Sequence, residues 1–260
     1  MEKNNHIIYC DIMKIFIPFL ITLLAGLSTV LGCFAIYIKS KNINKFISLS
    51  LSFSATIMIL ISVTDLIPSS FFIIIENVRV GKALFFMILA FFLGTFLINI
   101  MDKKIDKYKN DNNLYKVGVL SAVVLVLHNL PEGVATFLSS YNDIGVGLNL
   151  ALAIAFHNIP EGICIAVPLY YSTKSKSRAV RATFFSGLSE FLGAVLAFLF
   201  LSKFVTEVMI SFILIGVSGI MISLAINELY KESFKYKTKY FYLGIIFAFL
   251  FIIGQLLFFN

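Results

Sequence analysis

Residues 117–139 read VGVLSAVVLVLHNLPEGVATFLS, and residues 145–170 read GVGLNLALAIAFHNIPEGICIAVPLY. Each segment is apolar and long enough to cross a bilayer, since a spanning helix needs about 20 apolar residues. Each also carries the same hexapeptide with one variable position, His128-Asn129-Leu130-Pro131-Glu132-Gly133 and His157-Asn158-Ile159-Pro160-Glu161-Gly162. Ionisable groups are costly inside a membrane and therefore indicate a functional site. Two copies in neighbouring segments argue against a purely structural role.

The rest of the chain is equally apolar. Of its 260 residues, 59% are hydrophobic and only 13% are charged, and the mean hydropathy is +0.94. This composition excludes a soluble domain, and continuous apolar segments argue against a transmembrane β-barrel, whose strands alternate. We predict an all-α membrane protein in which residues 1–260 form a single transmembrane domain of eight helices. The predicted spans are Ile15–Ile38, Phe46–Pro68, Ala83–Ile100, Val117–Ser139, Gly145–Tyr170, Ala179–Leu201, Val205–Tyr230 and Tyr240–Phe259.

The positive charge of the chain is concentrated on one side of the predicted membrane. Of the 21 lysines and arginines, 16 follow spans one, three, five and seven. They are Lys39, Lys41, Lys45, Lys103, Lys104, Lys107, Lys109, Lys116, Lys174, Lys176, Arg178, Arg181, Lys231, Lys235, Lys237 and Lys239. Basic connections remain in the cytoplasm, so we expect a cytoplasmic loop at residues 101–116 and both termini outside. The net charge of +7 therefore orients the protein in the lipid bilayer and does not indicate a nucleic-acid partner.

The spacing within the hexapeptides points to metal binding. His128 and Glu132 are four residues apart and share one face of a helix. Each asparagine lies three residues before its glutamate, so each helix offers a His/Glu edge and an Asn/Glu edge. Imidazole and carboxylate together suit first-row transition metals such as zinc and iron. Two such helices side by side can form one site from histidines and glutamates and a second from asparagines and the shared glutamates.

Several other polar residues lie within or at the ends of the spans. Glu190, in Gly187-Leu188-Ser189-Glu190-Phe191-Leu192-Gly193, is the candidate that completes the second site. Polar side chains near span ends either contact the metal on its way in or out or are simply solvated. These are Asp65, Asn227 and Glu228. Cys164 follows the second hexapeptide and is either a metal ligand or a small core side chain. The role of Gln255 stays open.

Two alternatives to transport can be weighed from motifs. A zinc protease needs His-Glu-x-x-His, which the chain lacks. Di-iron bundles use Glu-x-x-His, whereas the order here is reversed. No nucleophile or general base remains once the ligands are assigned. We therefore predict a transporter rather than an enzyme, with no catalytic cofactor. A structural membrane protein, the other alternative, would show no metal dependence.

The paired His-Asn-x-Pro-Glu-Gly motifs and the Gly-x-x-Glu-x-x-Gly of span six resemble the ZIP (Zrt/Irt-like) family of divalent metal transporters, most closely its bacterial zinc-uptake branch. The resemblance implies a 3+2+3 inverted repeat around spans four and five. It also implies import of Zn²⁺ into the cytoplasm through a binuclear site, with Fe²⁺, Mn²⁺, Co²⁺ or Cd²⁺ as further substrates.

Carried over by position, the resemblance assigns both metal sites. The first consists of His128, Glu132, His157 and Glu161. The second consists of Asn129, Asn158 and Glu190 and shares both glutamates of the first site. Asp65 falls where related bacterial members have an acidic residue. We expect a multi-pass plasma-membrane protein of a bacterium. The preferred metal, channel or carrier mode and oligomeric state, a homodimer included, stay open.

Overall fold

The computed structural model describes residues 2–106, 113–201, 206–236 and 238–259. Throughout these ranges every secondary-structure element is a helix, which confirms the all-α class. Eight helices are long and apolar enough to span a membrane. They are α1 Met13–Tyr37, α2 Ile43–Asn77, α3 Val80–Ile105, α4 Asn113–Asn142, α5 Ile144–Thr173, α6 Lys176–Leu199, α7 Glu207–Lys235 and α8 Tyr240–Leu257.

Short polar caps separate the helices. The side chain of Asn42 accepts a hydrogen bond from the backbone N–H of Lys45 at 3.1 Å and starts α2. Asp143 caps α5 in the same way through Val146, at 3.0 Å. Such caps satisfy backbone donors that have no partner inside the helix. The helix that contains α3 continues to Asp106. Of the predicted loop 101–116, residues 107–112 lie outside the described part of the chain.

Among the described residues, four helices contain or run into segments that are not α-helical. They are a 3-10 helix at Ser28–Tyr37 in α1 and π-helices at Ser62–Leu66 in α2, at Ala197–Leu201, which begins in α6 and ends two residues beyond it, and at Ala225–Tyr230 in α7. In α2 the backbone N–H of Ile67 donates to the carbonyl of Ser62, five residues earlier. Pro68 follows directly, and the wider turn accommodates its ring, which would crowd the carbonyl of Thr64 in an α-helix. The π-helix of α7 contains both Asn227 and Glu228.

The two halves of the bundle pack in the same pattern. Helix α1 corresponds to α6, α2 to α7, α3 to α8 and α4 to α5, and exchanging each helix with its counterpart preserves the pattern of contacts. The α4–α6 contact then becomes the α5–α1 contact, and the α2–α8 contact becomes the α7–α3 contact. Because the exchanged helices run in opposite directions, the relation is that of an inverted repeat. This packing agrees with the 3+2+3 arrangement, with α4 and α5 at the centre.

The central position of α4 and α5 also shows in their burial. The most apolar windows of both helices are 61% buried, close to the 67% of α2 and well above the 17% of α3 and 11% of α8. His128 and Glu132 of α4 and His157 and Glu161 of α5 are buried, whereas Phe156 beside His157 is 37% exposed. Both hexapeptides therefore hold their histidine and glutamate side chains in the interior.

Candidate metal centre

The structure brings the two hexapeptides together. Nε2 of His128 lies 3.2 Å from Oε1 of Glu132 and 3.2 Å from Oε1 of Glu161. Nε2 of His157 lies 3.4 Å from Oε1 of Glu132. One ligand atom from each of His128, Glu132 and His157 lies within 4.8 Å of the others. Glu132 therefore stands between the two imidazoles, and one ion could contact groups from both helices.

The side chains of this centre are almost completely buried. Glu132 is 3% exposed and Glu161 is 1% exposed. Glu190 of α6 is fully buried at 0% exposure. Within the described part of the chain, no lysine or arginine forms an ion pair with these three carboxylates. Carboxylates buried without a cation are unfavourable, since charges removed from water require pairing or metal coordination.

Hydrogen bonds hold the NH2 groups of the two asparagines in place. Nδ2 of Asn129 donates to the backbone carbonyl of Ser186 at 3.0 Å. Nδ2 of Asn158 donates to the carbonyl of Ala25 at 3.0 Å and to Oε1 of Glu190 at 2.6 Å. These donors fix the orientation of both amides. In consequence Oδ1 of each asparagine is left as a free acceptor, and Glu190 is tied to the paired motif through Asn158.

A set of buried acceptor atoms at this centre has no hydrogen-bond partner among the described residues. It includes Nδ1 of His128, Oδ1 of Asn129, Oε2 of Glu132, Oδ1 of Asn158, Oε2 of Glu161 and Oε2 of Glu190. Buried polar atoms are normally hydrogen-bonded, so each exception calls for an explanation. The two amide oxygens can only accept, and so can the three carboxylate oxygens when they are ionised. A bound cation would satisfy several of these atoms at once.

Glycines hold the surrounding helices close to these ligands. A methyl group at Gly133 would overlap the backbone carbonyl of Glu190, so α4 and α6 touch backbone to backbone beside the second candidate site. Gly162 makes the equivalent approach to the carbonyl of Thr29 in α1. Gly26 of α1 and Gly187 of α6 face each other with the same lack of space. Small residues allow this approach between membrane helices.

The helices continue through the prolines of both hexapeptides. Within α5, the carbonyl of Pro160 accepts a hydrogen bond from the hydroxyl of Ser54 in α2, at 2.7 Å. This contact joins α2 to the second hexapeptide, and the sequence carries no signal for it because a serine in an apolar helix usually bonds within its own helix.

The remaining predicted residues are outside the close His/Glu cluster. Asp65, in the π-helix of α2, is exposed and lies within electrostatic range of His157 and Glu132. Nδ2 of Asn227 donates to the hydroxyl of Ser223 at 3.0 Å. Cys164 is buried but is not part of the close His/Glu cluster. Gln255 contacts the carbonyl of Ala153 in α5 at 3.4 Å.

Glu228 belongs to a charged cluster that sequence reasoning did not identify. Nζ of Lys116 in α4 lies 2.5 Å from Oδ1 of Asp102 in α3 and 3.8 Å from Oε2 of Glu228 in α7. A cavity of about 420 Å³ beside the cluster is lined by Asn227 and Glu228. From the sequence, Lys116 was identified only as one of the basic residues that follow span three. Its ion pairs could not be predicted because its partners are distant in sequence.

Known proteins match this chain over most of its length. The sequence profile of the family described as ZIP Zinc transporter matches residues 110–259. The chain is 37% identical over 241 residues to a zinc transporter ZupT of Lysinibacillus sphaericus, covering 86% of this chain and 90% of the relative. It is 38% identical over 238 residues to a zinc transporter ZupT of Oceanobacillus iheyensis, with 85% and 89% covered. Both relatives are named as transporters rather than enzymes.

Proposed function

Because this chain belongs to the ZIP zinc transporter family, we propose that it imports zinc into the cytoplasm through the centre formed by α4, α5 and α6. Eight membrane-spanning helices and the bacterial relatives make it a multi-pass protein of the plasma membrane. The observation that carries the proposal is the set of unpartnered, buried acceptor atoms around Glu132.

The donor types at the centre favour zinc. His128 and His157 supply imidazole nitrogen, and Glu132 and Glu161 supply carboxylate oxygen, a combination that suits zinc and other first-row metals. The same ligands accept Fe²⁺, Mn²⁺, Co²⁺ and Cd²⁺, which we propose as further substrates besides zinc.

We place a second ion between the asparagines and Glu190. The 2.6 Å contact of Asn158 with Glu190 brings this carboxylate to the edge of the paired motif. The free Oδ1 atoms of both asparagines and Oε2 of Glu190 supply oxygen ligands there. Glu132 and Glu161 would bridge the two ions, as two-metal centres commonly do with carboxylates.

The distribution of charge supports the orientation that this proposal uses. Basic connections after α1, α3, α5 and α7 favour a cytoplasmic location for those ends. Asp65 then lies on the outer side of the centre, and Asn227 and Glu228 line a cavity near the cytoplasmic end. In this proposal zinc passes Asp65, binds at the centre and leaves beside Glu228.

Zinc flux into proteoliposomes that contain a zinc-sensitive dye tests the transport proposal. We expect saturable flux for the wild type and its loss in Glu132→Gln and His157→Ala. Glu132→Gln preserves the shape of the side chain and removes only its charge. Glu76→Gln is the matched control because Glu76 is an exposed carboxylate outside the centre. Equal flux in the wild type and Glu132→Gln would refute the assignment.

Thermal unfolding in detergent separates loss of binding from loss of folding. At a zinc concentration 100 times its Kd, one bound ion stabilises the folded state by about 2.7 kcal/mol. For a chain of this size that corresponds to a rise in Tm of roughly 5–10 °C. We expect this rise in the wild type and Glu76→Gln but not in Glu132→Gln. A wild type that zinc stabilises but that carries no metal across the membrane would instead support a metalloenzyme.

A further inference from the structure

A second cavity lies at the opposite end of the helices from the basic connections. It measures about 490 Å³ and lies between α2, α4 and α7. Its polar lining comprises Ser69, Ser70, Ser139, Tyr141, Asn142, Glu207 and Ser211, and the rest of the wall is apolar. Glu207 is exposed, and among the described residues it forms no ion pair. The cavity therefore combines apolar side chains with hydroxyl and amide groups and one carboxylate.

One buried side chain in this lining supports a polar occupant. Ser70 is only 1% exposed, yet its hydroxyl has no hydrogen-bond partner in the described part of the chain. By contrast, the neighbouring Ser69 donates to the backbone carbonyl of Asp65 at 2.7 Å. A buried hydroxyl that lines a cavity and bonds to nothing in the protein is available to bound water or to a hydrated ion.

On two helices the lining of the cavity lies within about one turn of a predicted site residue. On α4 the cavity wall includes Ala135. Ala135 is three residues from Glu132, which corresponds to a rise of about 4.5 Å along a helix. On α2 the wall includes Ser69, one turn from Asp65. Asp65 in turn lies within electrostatic range of Glu132 and His157. Asp65 therefore lies near both the cavity and the centre.

The size and the ligand types match a divalent cation that keeps its water. Six water molecules occupy about 180 Å³, at roughly 30 Å³ each, which the cavity can hold. Hydroxyl and amide oxygens accept hydrogen bonds from metal-bound water, while the cavity lining contains no imidazole that would replace that water. The two histidines of the metal centre, His128 and His157, lie outside this lining.

We propose that this cavity is an outer vestibule for hydrated divalent cations, in which Glu207 supplies the attracting charge. The inference rests on the proposed zinc import and adds a capture step before Asp65. A single carboxylate about 10 Å from a divalent cation in water raises the local concentration of that cation about fourfold. Ionic strength of about 0.15 M screens charges beyond about 8 Å and reduces the effect to less than about twofold.

Zinc uptake by cells that express the protein tests the role of Glu207. We expect Glu207→Gln to raise KM about fourfold at low ionic strength and less than about twofold at 0.15 M, with the maximal rate unchanged. Glu76→Gln removes an exposed carboxylate on the same side but outside the cavity lining, and its KM should stay at the wild-type value. A Glu207→Gln variant with wild-type KM, or an equal shift in Glu76→Gln, would overturn the vestibule.

Thiol labelling gives an independent test of access. In a Cys10→Ser background, Ser139→Cys places a thiol in the cavity wall. We expect a membrane-impermeant thiol reagent added outside to label this variant and block its uptake, while zinc slows the labelling. Failure to label, or labelling without loss of uptake, would contradict the proposal.

If the wild type itself carries no zinc, the proposed import fails. If the wild type carries zinc and Glu207→Gln matches it, only the vestibule fails.

Discussion

Replacement of Gly133 by alanine tests whether the contact between α4 and α6 holds the second candidate site together. A methyl group at this position would overlap the carbonyl oxygen of Glu190 and would lie 2.6 Å from its carbonyl carbon and 2.7 Å from its Cα. Ordinary van der Waals contact begins at about 3.4 Å. The obstacle is backbone, which cannot rotate away, so the two helices must separate by roughly 1 Å.

The expected cost of Gly133→Ala can be isolated with a matched glycine. Overpacking of this kind costs about 1–3 kcal/mol, while alanine in a helix interior gains up to about 1 kcal/mol over glycine. Gly254 of α8 has no atom within 4 Å of an added methyl group, so Gly254→Ala shows the helix gain alone. The difference between the two variants is therefore the steric cost, about 1–3 kcal/mol.

Thermal unfolding of both variants in the same detergent and at the same scan rate provides the assay. At roughly 2–4 °C per kcal/mol for a chain of this size, Gly133→Ala should melt about 2–12 °C below Gly254→Ala. Its zinc stoichiometry should fall as Glu190 moves away from Asn158. Equal melting temperatures for the two alanine variants would show that α4 and α6 are not in backbone contact, and the reasoning would be wrong.

Three further predictions address charge, protons and thiols. Lys116→Met should destabilise the protein by about 1–3 kcal/mol, since it removes a cation that contacts two partly buried carboxylates, Asp102 and Glu228. The double variant with Asp102→Asn should recover part of that loss, which a double-mutant cycle of unfolding free energies would reveal, and strict additivity would disprove the coupling. Zinc-dependent stabilisation should weaken as the pH falls from 7.5 to 5.5, because protons compete with the metal for imidazole and carboxylate; a pH-independent zinc shift in Tm would contradict this. In a Cys10→Ser background, Cys33 and Cys164 should resist an impermeant maleimide until the protein unfolds, since they are 4% and 0% exposed, and rapid labelling of folded protein would refute it.

Residue type and spacing were sufficient to predict the helices and the proximity of His128, Glu132 and His157. Runs of about 20 apolar residues leave helix as the only way to satisfy the backbone in lipid. The interval of four residues between histidine and glutamate places both on one helix face. The helix ends are less predictable: the third span was predicted at Ala83–Ile100, whereas α3 covers Val80–Ile105, because charged residues can continue a helix beyond its apolar part.

Contacts between distant helices could not be predicted from the sequence. Which amide atom of Asn158 faces the centre depends on the carbonyl of Ala25, 133 residues earlier. The pairing of Lys116 with Asp102 depends on how α3 and α4 meet, which no local pattern encodes. The π-helix in α2 has a local cause in Pro68, but the one in α7 has no proline beside it, and its position depends on packing.

The facing glycines of α1 and α6 have a consequence for genetics. Gly26 and Gly187 each occupy the space that a side chain on the other would need. When a core residue is replaced by a larger one, replacement of a neighbour by a smaller residue can restore the fit. Neither glycine can shrink further, so a substitution at one has no compensating change at the other. Suppressors of Gly26→Ala or Gly187→Ala should therefore arise elsewhere in the chain, where they shift a whole helix, and true revertants should dominate any selection for restored growth.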